Sequence, residues 1–463
     1  MTIDKEWMLE VLDRTNTGKV VKEKKWNNRI MPQTIMEIVR EYDLKGTCDP
    51  ENPINQDDEL ADRYFEAGLA AAEKLGMLCT DTHRVVDFSK DEILERIDEA
   101  PASFNLGEGK EKVEFKTRDI EDEVEPKMIA PLSIVVSEED FVPMVEAIAS
   151  VDEVDVMEGP SLETVWGREL KSGVPHELLS GKYQAELMKE GLERAGREGL
   201  GLFAVGSSTT EYGFLGGFGI PNGYDPDKDI SLILSPAGVK TSYESLFKLA
   251  QTYNAGGGNI YAGSWVMLGG YAGGPEGTTV AAIANSLLLY TVYQASNGAC
   301  FPLDMHYMGN TDGKNQWSLG LTFQALSRNT HLALNSVLNQ VNGPSTKALL
   351  YETAVGMINL AVSGATSCTG TRSAGGRLTN HLTPLEIEFA GKVFKSATGM
   401  SRSKANEITK EIIPKYEDGL DDPSDGQSFK ECYDLENHQP GEGWKRKYDE
   451  VVEEISTLGL TLD

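Results

Sequence analysis

The sequence is short of cysteines, of basic residues and of long apolar runs. Its cysteines are scattered and no two of them have CxxC spacing, which disfavours a disulfide scaffold or a zinc ribbon. They are Cys48, Cys79, Cys300, Cys368 and Cys432. No segment reaches about 18 uninterrupted apolar residues, so we expect no transmembrane helix. The amino terminus, MTIDKEWMLE, lacks the apolar core of a signal peptide. These absences predict a reduced, cytoplasmic protein.

The charge of the chain is strongly one-sided. Its 463 residues include 43 Lys and Arg against 73 Asp and Glu, which gives a net charge of −30. Binding to a phosphate backbone needs clustered basic residues, so this composition argues against a nucleic-acid partner. An apolar fraction of 40% with 25% charged residues is ordinary for a folded protein and excludes wholesale disorder. The acidity fits either high solubility or a saline cytoplasm.

Three regions differ in composition. Residues 1–125 are charged and mostly helical in pattern, and they end in a charge-dense connector at 108–125 that we expect to be solvated. Residues 199–320 contain only 12 charged residues but 22 of the 47 glycines, which indicates strands and turns enclosed by helices. Residues 376–463 are helical, then acidic, then helical again. We therefore predict a helical extension on each side of a central domain at 126–375.

Short apolar runs alternate with longer helical patterns in the central domain. The expected strands are 127–136, 154–158, 200–206, 230–235, 259–267 and 300–308, with weaker ones near 337–342 and 363–370. The helical patterns between them include 138–150, 176–195, 241–253, 276–296 and 316–334. This alternation predicts parallel strands with crossover helices, and eight such units fit an α/β fold of the (β/α)8 TIM barrel type. A doubly wound sheet is the alternative, but no GxGxxG opens a βαβ unit.

The motif GGYAGG at 269–274 is the most specific local feature. It follows an apolar strand and precedes Pro275 and Glu276, which are helix start signals. Its small residues allow a ligand or another backbone to approach closely, and free amides at the helix start can hold an anion. A tight strand-to-helix turn is the alternative interpretation.

Other candidate residues have weaker signals. The motif CTDTHR at 79–84 suggests a metal ligand or a nucleophile, but a helix end capped by Thr80, Asp81 and Thr82 is the favoured interpretation. Aromatic residues are dense near the expected strand ends, and a cage of rings is suited to a quaternary ammonium ligand. They are Phe203, Tyr212, Phe214, Phe218, Trp265, Tyr271 and Tyr307. The polar candidates are Glu211, Asp304, His306, Arg372 and Arg377.

Several of these segments resemble the monomethylamine methyltransferase family of methanogens. They are AAEKLGMLCTDTHRVVDFSKDEI, VMLGGYAGGPEGTTV, SFKECYD and the final LGL. The resemblance implies a TIM barrel with helical extensions, a homo-oligomer, and transfer of a methyl group from an amine to the Co(I) corrinoid of a partner protein. No tightly bound cofactor is then expected, because cobalamin belongs to the partner. Four glycines of the turn would contact it, namely Gly269, Gly270, Gly273 and Gly274.

The chain departs from this family at one important position. The family has pyrrolysine on a barrel strand after an AGRxGxG-like run, which here is AGREGLG at 195–201. Counting onward places Phe203 at the pyrrolysine position, with Ala204 or Val205 as alternatives. The glutamates that the family has near the pyrrolysine ring correspond to about Leu232 and Gly263. The joint loss of the electrophile and the carboxylates indicates a changed substrate.

Chemistry suggests a quaternary ammonium as that substrate. Its nitrogen already carries a positive charge and leaves as a neutral tertiary amine, so the site has only to position and desolvate it. We expect Phe203 at the catalytic position and substrate contacts from Tyr212, Trp265, Tyr271, Tyr307 and His306, without a metal. One alternative is a zinc-assisted methyltransferase for methanol or thiols that uses Cys300, His306 and Cys368. The other is a non-catalytic binding relative.

Overall fold

The computed structural model describes residues 2–131, 134–205 and 210–462. In these residues, eight parallel strands form a barrel. They are β1 (Lys127–Ala130), β2 (Val156–Glu158), β3 (Gly201–Ala204), β4 (Ile230–Leu234), β5 (Asn259–Leu268), β6 (Asn297–Asp304), β7 (Asn335–Val337) and β8 (Ser367–Thr369). The strands follow one another in order around the barrel from β1 to β6, and β8 lies between β7 and β1. A parallel bridge between Gly298 and Leu334 closes the ring, which confirms the (β/α)8 fold.

Helices follow the strands in the order that the apolar patterns predict. They are α1 (Glu138–Ala149), α2 (Pro175–Arg194), α3 (Glu211–Gly217), α4 (Tyr243–Asn254), α5 (Pro275–Tyr293), α6 (Gly313–Asn329), α7 (Lys347–Val362) and α8 (Pro384–Ser396). Helix α8 packs against α7 and α1, as the eighth helix of a barrel does. The predicted domain boundaries at 125/126 and 375/376 stay predictions. Parts of two predicted strands, at 132–133 and at Gly206, lie outside the described residues.

The amino-terminal extension covers helix α5. Its helices are Lys5–Thr17, Glu23–Lys25, the π-helical turn Trp26–Ile30, Met31–Glu41, Asp58–Leu75 and Lys90–Asp98. Helix Asp58–Leu75 packs closely on α5, because Gly68 leaves room where a Cβ would lie 2.3 Å from Ile283 Cγ2. Every residue of α5 from Gly277 to Tyr293 is therefore buried, which explains why its sequence is apolar on all sides.

A β-hairpin closes the amino-terminal end of the barrel. It pairs Ser103–Leu106 with Val113–Lys116. The rings of Phe104 and Phe115 stack with centroids 4.9 Å apart, and both pack in one apolar cluster with the strands of the barrel interior. The expectation of a solvated connector at 108–125 is therefore wrong for this strand, because Phe115 alternates with exposed charged neighbours and is itself fully buried.

The CTDTHR segment forms part of a strand pair that contacts the start of helix α4. Cys79 ends the strand Met77–Cys79, which pairs antiparallel with Arg84–Val86, so the predicted helix end at Thr80, Asp81 and Thr82 is wrong. The carboxylate of Asp81 accepts a hydrogen bond from the Tyr243 amide at 2.8 Å, at the start of α4.

The carboxy-terminal extension continues with helices Arg402–Ile412, Phe429–Cys432 and Glu442–Thr457. Within the described residues, no helix is long and apolar enough to cross a membrane.

The buried hairpin generates a first prediction. Replacing Phe115 by Ala should lower the free energy of unfolding by about 3–5 kcal/mol, because it leaves a cavity under the barrel. Urea denaturation followed by circular dichroism measures the change. The control is Phe247→Ala on α4, where the ring is exposed and the effect should stay within about 0.5 kcal/mol. Equal effects of the two substitutions would contradict the role of the hairpin.

Candidate active site

The interior of the barrel has an aromatic side on β3 to β5. Phe203 is aligned with Ile230 on β4 and with Glu158 on β2, so the three side chains share the inner face. The Phe203 ring is fully buried and lies 5.3 Å, centroid to centroid, from the ring of Tyr261 on β5. This pair of rings forms an apolar wall inside the barrel.

The position of Tyr261 depends on a glycine two residues further along the same strand. A Cβ on Gly263 would lie 2.6 Å from the Tyr261 hydroxyl oxygen and 2.7 Å from Cε1, so only glycine lets the ring lie along the strand. The hydroxyl is buried, and the Asn335 side chain on β7 lies close enough to act on its pKa. Burial raises the pKa of this phenol, so it stays protonated and is available as a donor.

The opposite side of the interior, on β6 to β8, is polar. Ser367 Oγ donates to Asn335 Oδ1 at 2.7 Å, and Asn335 Nδ2 donates to Thr369 Oγ1 at 3.1 Å. Asn297 Nδ2 donates to Ser367 Oγ at 3.2 Å. Because these buried amides and hydroxyls bond one another, they form a fixed polar wall facing the rings.

Two charged residues lie at the carboxyl ends of the strands. Glu158 is the last residue of β2 and is 1% exposed. Arg372 follows β8, and its Nη1 donates to Asn339 Oδ1 at 3.0 Å. Burial lowers the pKa of Arg372, and the Glu158 carboxylate acts in the opposite direction, which places the two charges within electrostatic range of each other. The carboxyl end is where the active site of a TIM barrel is built.

A second feature at this end is a surface cleft of about 570 Å³ beside β5 and β6. It brings together four of the candidate residues, Gly269, Asp304, His306 and Tyr307, with further acidic side chains. The Tyr307 hydroxyl donates to the carboxylate of Asp312, and the amide of His306 donates to Asp304 Oδ1 at 2.7 Å. The His306 ring itself is exposed.

The predicted aromatic residues lie at different depths. Trp265 shares the inner face of β5 with Tyr261, because they are four residues apart, and it is only partly buried. Tyr212 on α3 and Tyr271 in the GGYAGG turn are 42% and 43% exposed. The ring that contacts Phe203 is Tyr261, which the sequence analysis did not single out. The roles assigned to Phe203, Tyr212, Trp265, Tyr271, Tyr307 and His306 stay predictions.

The GGYAGG turn is closed by its own backbone. The Gly269 amide donates to the Gly273 carbonyl at 2.9 Å, and the Gly273 amide donates to the Gly270 carbonyl at 3.1 Å. Gly269 and Gly273 have φ of 83° and 82°, which glycine adopts without strain, and added Cβ atoms would meet no atom within 4 Å. Gly274 then caps α5. The turn therefore presents open backbone at the barrel rim.

The residues named for a zinc site do not converge. Cys300 Sγ accepts a hydrogen bond from Asn285 on α5 at 3.4 Å, so this side chain faces the helix layer rather than the barrel interior. Burial raises the pKa of its thiol to about 12. His306 lies six residues beyond it on an exposed loop, and Cys368 is fully buried on β8. In the described part of the chain, no group of three His, Cys, Asp or Glu side chains has the geometry of a metal site.

Comparisons with known proteins identify the family. A family model described as monomethylamine methyltransferase MtmB matches residues 7–460. The chain belongs to the MtmB family. The MtmB of Methanosarcina mazei is 27% identical over 452 residues, and MtmB3 of Methanosarcina barkeri is 27% identical over 457 residues; each alignment covers 97% of both chains. The crystal structures of the Methanosarcina barkeri monomethylamine methyltransferase and of a hydroxylamine MtmB complex each superpose with a TM-score of 0.93 at 25% identity, covering 98% of both chains.

Membership of the MtmB family makes the chain a methyltransferase and confirms the recognition made from its motifs. The three positions that the resemblance singled out all adjoin Tyr261. Phe203 contacts its ring, Leu232 is its aligned neighbour on β4, and Gly263 accommodates its hydroxyl. These three positions therefore belong to one packing unit inside this MtmB homologue.

Glu158 and Tyr261 are candidate site residues that the sequence analysis did not single out. Glu158 had a usable signal, because it is a carboxylate at the last position of an apolar strand, directly before Gly159 and Pro160. Tyr261 had no such signal, since an aromatic residue within a strand usually belongs to the hydrophobic core. Arg372 was named only as a polar candidate, and the structure brings it to the same end of the barrel.

The contact between Tyr261 and Gly263 generates a second prediction. Gly263→Ala should lower the free energy of unfolding by about 1–3 kcal/mol, because the new methyl group displaces the ring. In a Tyr261→Ala background the same substitution should have little effect, because the ring is gone. Thermal unfolding of the four proteins of this double-mutant cycle measures the coupling. Additive effects would contradict the proposed packing.

The turn generates a third prediction. Gly273→Val should destabilise the protein by about 1–2 kcal/mol or impair methyl transfer, because a β-branched residue at this positive φ is strained. Gly274→Ala is the matched control, since φ there is −75° and a Cβ has only Glu276 Oε2 nearby, at 3.5 Å. The measurements are the melting temperature and the rate of methyl transfer. If the Gly273→Val variant is as stable and active as the parent, the motif does not require glycine at this position.

Proposed function

We propose that this protein transfers a methyl group from a quaternary ammonium to the Co(I) corrinoid of a partner protein. The observation that carries the proposal is the meeting of the Phe203 and Tyr261 rings with the Glu158 carboxylate inside the barrel. Aromatic faces attract a cation that has lost its water, and a nearby carboxylate adds to that attraction. The site thus has the chemistry of a cation-binding site.

The residue at the expected pyrrolysine position supports a methyl donor other than monomethylamine. The benzyl side chain of Phe203 has no electrophilic atom, and it is fully buried between aromatic and aliphatic neighbours. It cannot form an adduct with a primary amine, so a free methylamine would gain no better leaving group here. A donor that is already quaternary needs no such activation.

The reaction balances without a further reagent. The electron pair of Co(I) forms the new bond to the methyl carbon, while the bond between that carbon and nitrogen breaks. Its electron pair stays on nitrogen, which leaves as a neutral tertiary amine. The protein has to exclude water and hold the methyl group in line with the incoming cobalt, and both tasks lower the barrier without chemical participation by a side chain.

The corrinoid partner belongs to this proposal because the family resemblance implies it. We propose that the corrinoid approaches the carboxyl end of the barrel, where the glycines of the GGYAGG turn leave backbone open. A homo-oligomeric assembly and a cytoplasmic location are further parts of this proposal. The alternative is that this protein binds the ligand without turnover, and the experiment below distinguishes the two.

The experiment offers Co(I)-cobalamin with monomethylamine, tetramethylammonium and choline, and it follows cobalt methylation by absorbance. Quaternary donors should methylate cobalt and monomethylamine should not. Methylation by monomethylamine alone would overturn the proposal, and ligand binding without methylation would favour the non-catalytic alternative.

A fourth prediction tests the carboxylate. Glu158→Gln should raise the KM of a quaternary donor by about tenfold, because it removes a buried negative charge beside the cation while keeping the side-chain shape. The control is Glu163→Gln, where the carboxylate is exposed and the KM should not change. If both variants behave alike, Glu158 has no part in donor binding.

A further inference from the structure

A short hairpin after β2 presents an exposed tryptophan. The strands Thr164–Val165 and Arg168–Glu169 pair antiparallel, and Trp166 lies at the tip between them. The φ of Trp166 is 52°, in the left-handed region where a bulky residue is strained, and Gly167 follows with a φ of 69°. The ring is nonetheless 48% exposed. A large ring held in a strained conformation but left exposed adds little to the core, so it indicates a binding role at the surface.

The hairpin is fixed to the start of α1. The amides of Trp166 and Gly167 both donate to the carboxylate of Glu138, the second at 2.9 Å, and Thr164 Oγ1 donates to the same carboxylate at 3.1 Å. The Trp166 ring also packs against the ring of Tyr183 on α2, with centroids 5.1 Å apart. These contacts orient the indole in the free protein, which reduces the entropy lost when a partner covers it.

Trp166 is part of an apolar groove of about 490 Å³. The apolar residues that line it are Trp166, Leu178, Leu179, Tyr183, Leu215 and Ile220. Among the described residues that line the groove, the charged ones are Lys182 and Glu186, and their Nζ and Oε1 atoms lie 3.7 Å apart in an ion pair. Leu178 and Leu179 are 44% and 54% exposed. The groove is therefore open to solvent and locally neutral, on a chain with a net charge of −30.

The two helices that line the groove pack backbone to backbone. A Cβ on Gly181 of α2 would lie 1.8 Å from the Gly213 carbonyl oxygen, and a Cβ on Gly216 of α3 would lie 1.8 Å from the Leu178 carbonyl oxygen. Only glycine at these positions allows so close an approach. The shape of the groove is therefore set before any partner binds.

The groove lies beside the carboxyl end of the barrel. The hairpin and α2 follow β2, α3 follows β3, and α1, which holds the hairpin, follows β1. In a barrel of parallel strands, connections from a strand to the next helix lie at the carboxyl end. The GGYAGG turn follows β5 at the same end. A partner that reaches the barrel mouth therefore has the groove on one side and the glycine turn on another.

We propose that this groove is the docking site of the partner that carries the corrinoid, and that the partner inserts one or two uncharged apolar side chains into it. The inference rests on the proposed function, because the Co(I) that attacks the methyl group has to reach this end of the barrel. It goes beyond that function by naming the surface that recognises the partner and the chemistry of the contact.

The size of the groove favours a transient partner over a permanent one. A volume of about 490 Å³ accommodates a few side chains, whereas a stable interface engages about 20–30 residues on each side. A transient contact is also what the reaction needs, since each transfer converts Co(I) to methylated cobalt and the partner then has to leave. A second copy of this chain, bound permanently, is the alternative that the test addresses.

The experiment compares two forms of the acceptor. One is free Co(I)-cobalamin, which needs no docking surface. The other is each corrinoid protein encoded in the genome of the source organism, purified with cobalamin bound. Biolayer interferometry without a methyl donor measures the affinity for the corrinoid protein, and sedimentation velocity measures the oligomeric state. Docking is thus measured independently of turnover.

Two substitutions in the groove should weaken docking. Trp166→Ala removes the exposed ring, and Leu179→Asp introduces a charge that would have to lose its water in the interface. Each should lower the affinity for the corrinoid protein about tenfold or more, and the rate with free Co(I)-cobalamin should not change. Phe247→Ala is the matched control and should change neither, because that ring is 50% exposed but lies on α4, outside the groove. The two substitutions lie on different elements, so a folding defect in one leaves the other as the test.

The outcomes separate this inference from the proposed function. Groove variants that bind the corrinoid protein as tightly as the parent overturn the inference and leave the function intact. If they also change the oligomeric state, the groove belongs to a contact between copies of this chain. Loss of docking in the groove variants supports the inference even where no quaternary donor methylates cobalt, a result that overturns the function alone. Failure of the parent to bind any corrinoid protein overturns both.

Discussion

The interior of this barrel depends on one steric constraint, the space that Gly263 leaves for the hydroxyl of Tyr261. With that space the phenol lies along β5, contacts Phe203 and adjoins Leu232. A Cβ at 263 would displace the ring from this position, because it would lie 2.6 Å from the hydroxyl oxygen. The aromatic wall therefore depends on the absence of one Cβ.

This constraint links the three positions that the family resemblance singled out. A glutamate at 263 would clash with the Tyr261 ring, and one at 232 would place a second carboxylate against it. Phe203 fills the remaining volume on β3 and is packed from below by the hairpin that contains Phe115. The residues at these positions therefore pack against one another as one unit.

The sequence predicted the barrel well, because its buried strands are apolar runs separated by amphipathic or fully apolar helices. Hydrophobic patterns predict the burial of one helix or one strand at a time. They missed the hairpin at Ser103–Leu106 and Val113–Lys116, since its exposed charged residues hide a single buried Phe115. They also grouped Tyr212 and Tyr271 with the interior rings, although both are largely exposed. Proximity to a strand end does not fix the depth of a side chain, which depends on register and on neighbours such as Gly263.

The placement of charge follows a different logic from that of the rings. Surface acidity sets the long-range field of the molecule, but within the barrel mouth a few groups decide what binds, because screening by water is weak there. Glu158 belongs to β2 and Arg372 to the loop after β8, so their approach depends on the closure of the ring through β1. Neither residue lies near the other in sequence, and no local motif encodes the pair. Closing the barrel is therefore what brings two charges that are distant in sequence to the same end of the molecule.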